Sequence, residues 1–84
     1  RAARPDAAGR FTEMEVFGSD RPGLLALIAG TLMAQKVRIH GVRVGTLGDR
    51  VEDVFVISDR DDRPLDDKAS HQLETAIQEA LENA

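Results

Sequence analysis

Hydrophobic and polar positions alternate along the first ordered stretch of the chain. From Phe11, Thr12, Met14 and Val16 fall on one side and Glu13 and Glu15 on the other. A period of two is the mark of a strand with one buried face. The run Gly18-Ser19-Asp20-Arg21-Pro22-Gly23 breaks the alternation. Beyond it Leu24, Leu27, Ile28, Thr31 and Leu32 recur at helical spacing, which predicts an amphipathic helix ending near Gln35-Lys36. In that turn Asp20 is suited to cap the helix, because its carboxylate accepts from free first-turn amides. Pro22 suits the first turn, where its missing N–H has no partner to lose.

Val37 to Leu47 is rich in β-branched residues and lacks helix punctuation, which predicts a long strand. Counted by simple alternation, one face carries Val37, Ile39, Gly41, Arg43 and Gly45, and the other Arg38, His40, Val42, Val44 and Thr46. Gly48-Asp49 is a tight-turn dipeptide, so the strand resuming over Arg50–Ser58 closes a hairpin. That strand is apolar on both sides, with Val51, Phe55 and Ile57 on one face and Val54 and Val56 on the other. Such a strand is expected to be covered on both sides, the second by another copy if helices cover only the first. A polar turn, Asp59 to Pro64, precedes a second helix from Asp66. Its stripe is Ala69, Leu73, Ala76, Ile77, Ala80 and Leu81, with Glu74, Gln78, Glu79 and Glu82 outside.

The order is therefore β-α-β-β-α, an α+β arrangement one strand short of a ferredoxin-like sandwich. The fourth strand is either missing or supplied by the N-terminal segment or by a partner. Residues 1–10 show no periodicity and read as a linker or frayed end, leaving 11–84 as the domain. An 84-residue chain holds one small core and is marginal alone, which points to a piece of a larger protein or a subunit of an oligomer.

Composition excludes several classes. No apolar run approaches the ~18 residues of a transmembrane helix, so no membrane partner is expected. There is no cysteine, hence no thiolate chemistry and no disulfide, which fits a reducing, cytoplasmic setting. The net charge is −4, and Gly48–Ala84 holds eleven acids against four bases. A nucleic-acid binder needs a concentrated basic face and, for single strands, stacking aromatics. Here the only aromatics are three Phe, so no nucleic-acid partner is expected.

Candidate chemistry is sparse. His40 and His71 lie on different elements with no cysteine, so no metal site is expected. Counted as a calcium loop from Asp59, the fifth, sixth and twelfth positions hold Arg63, Pro64 and Ser70 where an oxygen ligand, Gly and Glu are required. No glycine-rich phosphate loop joins a strand to a helix, no serine has a base and an orienting acid beside it, and Glu52-Asp53 alternate faces of a strand. No catalytic group and no cofactor are expected in this segment.

The strand-to-helix turn remains. A helix N-terminus presents free amides and a positive partial charge suited to a small carboxylate. Gly23 lets a ligand or a neighbouring backbone approach closely, and Asp20 suits an ammonium group. The plain structural account of the same residues is a cap, a helix start and tight packing.

Thr12 to Leu25, ending in Asp20-Arg21-Pro22-Gly23-Leu24-Leu25, resembles the opening of an ACT domain, a small regulatory βαββαβ module that commonly binds amino acids. His40 to Phe55, with Thr46-x-Gly48-Asp49-Arg50-Val51-Glu52-Asp53-Val54-Phe55, is similar to the last ACT domain of bifunctional uridylyltransferase/uridylyl-removing enzymes. The likeness runs from Phe11 to about Leu81. It implies a glutamine-sensing regulatory domain that sets the balance of uridylylation and deuridylylation of the PII nitrogen-signalling protein. PII would be met only through the full-length enzyme. Members of that subgroup often end after the second helix.

The resemblance further implies a ligand, glutamine or another small amino acid, at Asp20 and Arg21, with the backbone of Gly23, Leu24 and Leu25 receiving its carboxylate. Gly18 stands where some serine-binding relatives carry a histidine. ACT ligands usually lie between two domains, so a second ACT domain, as a homodimer or a tandem pair, is implied. His40 and Arg43 would then face a ligand held by that partner. The competing account is an assembly module without a ligand.

Overall fold

The structure is a computed structural model that describes residues 2–5, 9–19 and 23–83. Its elements in chain order are β1 (Ala2–Pro5), β2 (Thr12–Ser19), α1 (Leu24–Ala34), β3 (Arg38–Leu47), β4 (Arg50–Ser58) and α2 (Asp67–Asn83). All neighbouring strands are antiparallel, in the order β1-β2-β4-β3. β2 and β3 run parallel with β4 between them, the split βαβ arrangement of ferredoxin-like sheets. The place a fourth strand would fill beside β2 is taken by Ala2–Pro5, within the stretch expected as a linker or as the source of that strand. Ala2 pairs with Glu15 and Pro5 with Thr12.

Both helices cover one face of the sheet. Met14 and Val16 of β2, Phe55 and Ile57 of β4, Ile28 and Leu32 of α1, and Leu73 and Ile77 of α2 form one buried cluster. Each such fully buried side chain contributes about 1.5–3 kcal/mol. The helix ends follow from local chemistry. The Leu32 carbonyl accepts from the Val37 amide at 3.2 Å and the Met33 carbonyl from Lys36 at 3.0 Å, a Schellman closure with Lys36 at φ 61°. At the start of α2, Asp66 Oδ1 accepts from the Ala69 amide at 2.7 Å.

Two expectations need correction. Simple alternation does not hold along β3, because the register shifts between Ile39 and Gly41 and leaves His40 as an extra residue. Ile39 pairs with Ile57 and Val42 with Phe55, so both share the helix-covered side with Val44 and Thr46. Gly41, Arg43 and Gly45 lie on the open side opposite Val56, Val54 and Glu52. In addition, Val54 needs no second copy to cover it. It is 9% exposed in the single chain, flanked in register by the aliphatic stems of Glu15 and Arg43.

Candidate functional site

The first helical hydrogen bond of α1 runs from the Leu27 amide to the Gly23 carbonyl at 2.9 Å. Gly23 is the N-cap residue, at φ 77°, and makes no side-chain cap. This corrects the expected cap. Asp20 lies four positions before the first helical residue, too far to be the N-cap, and Pro22 precedes the helix. Asp20, Arg21 and Pro22 themselves lie outside the described residues. A left-handed residue cannot continue a helix, and glycine adopts that conformation without penalty, so the helix starts at Leu24.

Beside this helix start lies a cleft of about 200 Å³ lined by Gly23, Leu24, Leu25, Ala26, Val44, Val51 and Asp53. Three sequence-predicted site residues, Gly23, Leu24 and Leu25, therefore share one wall. The opposite wall is the helix-covered side of β3 and β4. There Asp53 sits in register between Val16 and Val44, and only 1% of it is exposed. Sequence reasoning missed Asp53 as a site residue. The signal available was a carboxylate falling in the apolar set Val51, Phe55 and Ile57 of a central strand. Chemically the cleft opposes helix-start amides, suited to a carboxylate, to a buried carboxylate suited to a cation, with valine and leucine between them.

His40 and Arg43 lie elsewhere. Arg43 is on the open side of the sheet, around a depression of about 430 Å³ shared with Glu13, Glu15, Gly45 and Glu52. The His40 ring is stacked on Phe11, with centroids 4.0 Å apart and planes inclined by 15°. Its Nε2 lies 2.8 Å from Ser58 Oγ and 3.6 Å from Asp62 Oδ1. Ser58 Oγ spends its proton on the Asp59 carbonyl at 2.8 Å, so His40 Nε2 is the donor to Ser58. Both contacts fall on one ring nitrogen and Ser58 is fully buried, so this trio is a clasp and not a nucleophilic relay. Within one chain the fold thus brings Gly23, Leu24 and Leu25 together and holds His40 and Arg43 apart from them.

Among the described residues no group of His, Asp or Glu is arranged to hold a metal ion, and no helix is long and apolar enough to cross a membrane. No protein-family model matches the chain, and no solved structure does. Curated relatives do. The chain is 44% identical over 64 residues to the bifunctional uridylyltransferase/uridylyl-removing enzyme of Methylococcus capsulatus, covering 76% of this chain and 7% of that protein. It is 46% identical over 71 residues to the enzyme of the same name from Xanthomonas campestris, covering 84% of this chain and 8% of that protein. The Xanthomonas oryzae counterpart is 45% identical over 71 residues, again 84% of this chain and 8% of that protein. The chain is thus homologous to a small segment of much longer uridylyltransferase/uridylyl-removing enzymes.

Proposed function

We propose that this chain is a glutamine-sensing ACT domain of a bifunctional uridylyltransferase/uridylyl-removing enzyme, a regulatory and non-catalytic part of it. In that reading it sets the balance between uridylylation and deuridylylation of PII in the cytoplasm, meets PII only through the whole enzyme and uses no cofactor. The observation that carries the reading is the cleft at the start of α1, with amides of Gly23, Leu24 and Leu25 on one side and the Asp53 carboxylate on the other. An α-amino acid carries the complementary pair of charges. Thr46 to Phe55, a stretch that carries the resemblance to that enzyme group, includes Val51 and Asp53 of the cleft wall.

A thermal-shift series against the proteinogenic amino acids tests this. A ligand that binds only the folded state raises stability by RT ln(1 + [L]/Kd), about 2.7 kcal/mol at a hundredfold excess over Kd. Selective stabilisation by glutamine, lost in Asp53→Asn and in Asp20→Ala, is expected. No shift with any amino acid overturns the reading. The second reading, an assembly module, is favoured by the exposed apolar side chains of β3, Val42, Val44 and Leu47.

A further inference from the structure

From Leu24 to Ala34 the helix α1 carries no charged residue. Its one hydroxyl, that of Thr31, donates to the Leu27 carbonyl of the same helix at 2.9 Å. A helix apolar on all sides normally lies buried. Here only Leu24, Ile28 and Leu32 are buried, while Ala26, Gly30 and Ala34 are exposed and Met33 is 71% exposed.

A groove of about 520 Å³ runs between this face and α2, with Ala26, Gly30 and Ala34 on one wall and Ala76, Glu79 and Ala80 on the other. Met33, three positions after Gly30, shares the outward face of α1. The α2 rim is acidic. Glu79 lines the groove, Glu82 follows one turn later, and both are exposed. No basic residue occurs from Leu73 to Asn83, and Glu79 has no ion pair among the described residues. The groove shares Ala26 with the cleft at the start of α1 and no other residue.

We propose that this groove seats a basic amphipathic helix from another part of the longer enzyme, its apolar face on α1 and its Lys or Arg side chains toward Glu79 and Glu82. The inference rests on the chain being a segment of such an enzyme and is independent of glutamine binding. The matched segment is 7–8% of the curated relatives, so most of such a polypeptide lies outside it. An uncharged face suits partners that stay together, because lasting interfaces are the more apolar ones.

The chemistry of the walls selects the occupant. An extended strand or loop laid on α1 would bury backbone amides and carbonyls against a surface with no charged group to meet them. A helix satisfies its backbone internally. A second copy presents at this face only uncharged α1 and acidic α2, so it brings no counter-charge for Glu79. A membrane surface is disfavoured as well, since helices that lie on one carry a basic polar face.

Peroxide oxidation of the two methionines tests the proposal, followed by mass spectrometry in the isolated chain and in the purified enzyme that contains it. Met14 is fully buried and serves as the internal reference for folding. Met33 is expected to oxidise readily in the isolated chain and at least tenfold more slowly in the enzyme, with Met14 slow in both. Glu79→Lys with Glu82→Lys is expected to return Met33 of the enzyme to within threefold of its rate in the chain. A Cβ at Gly30 meets nothing within 4 Å, so Gly30→Leu leaves the fold intact and fills the groove. It is expected to expose Met33 of the enzyme in the same way, with circular dichroism of each variant chain unchanged. Equal Met33 rates in chain and enzyme overturn the proposal. Protection indifferent to the charge reversal overturns the basic helix as occupant. An isolated chain that already protects Met33 and sediments as a dimer assigns the groove to a second copy and overturns it too. None of these results depends on whether glutamine stabilises the chain.

Discussion

The Leu65 amide donates a 2.9 Å hydrogen bond to Thr12 Oγ1, across fifty-three residues of sequence. Thr12 opens β2 and is 2% exposed, so its hydroxyl ties the segment entering α2 to the sheet. Thr12 shares the buried side of β2 with Met14 and Val16. Thr12→Val keeps the shape and removes the acceptor, leaving the Leu65 amide unsatisfied. A loss of about 1–3 kcal/mol is expected in urea unfolding, larger than that of Thr12→Ser.

Asp59 gives the chain a defined acid response. Its Oδ1 accepts from the Arg63 amide at 2.9 Å and the Asp61 amide at 2.8 Å. The Arg63 amide chiefly holds the Asp59 carboxyl below its usual range; desolvation opposes it, and the Asp61 amide and the Arg63 guanidinium add smaller lowering effects. A carboxyl depressed by folding contributes stability that is fully present above its unfolded pKa. That contribution is lost as pH falls through the lower folded value. Unfolding midpoints of Asp59→Asn are therefore expected to fall less steeply below about pH 4 than those of the native chain. Parallel curves contradict this account.

Gly23 and Lys36 occupy left-handed conformations at the two ends of α1, at φ 77° and 61°. A Cβ at Gly23 meets nothing within 4 Å, so Gly23→Ala reports backbone strain alone. Thermal unfolding is expected to show a loss of about 1–2 kcal/mol. Lys36→Gly relieves the same strain at the other end. Its gain, about 1 kcal/mol before the added chain entropy of glycine, is expected to be smaller.

His40 separates a structural role from a binding role. With its ring against Phe11 and its Nε2–H given to Ser58, His40→Ala is expected to lower stability by about 1–2 kcal/mol. Amino-acid titration midpoints at the cleft are expected to stay within twofold of the native chain. A tenfold weakening with stability unchanged would return His40 to the binding site.

Periodicity was a good guide wherever one face of an element meets the core. The stripe of α2, with Leu73 and Ile77 fully buried, could be read from spacing because a helix face is set by residue intervals alone. The hairpin was legible too, since Gly48 takes the positive φ of 65° that a tight turn requires and Leu47 pairs with Arg50. The inserted residue at His40 was not. A bulge leaves no mark in composition, yet it reverses every face assignment on one side of it. Of the candidate site, Gly23, Leu24 and Leu25 were legible from their turn, whereas Asp53 was passed over because its partner wall lies on another element.

The sequence by itself determined the kinds and order of the main elements, the apolar faces of β2 and α2, and the turn that starts α1. Those features depend on intervals of a few residues, over which local sterics and hydrophobic period act. Only the tertiary structure decided that Ala2–Pro5 enters the sheet, that Asp53 faces the start of α1, and that Arg43 and Gly45 share the open side of an exposed edge. These depend on backbone pairing between distant segments. Backbone hydrogen bonds are common to every residue type, so the pattern of side chains alone leaves those pairings unspecified.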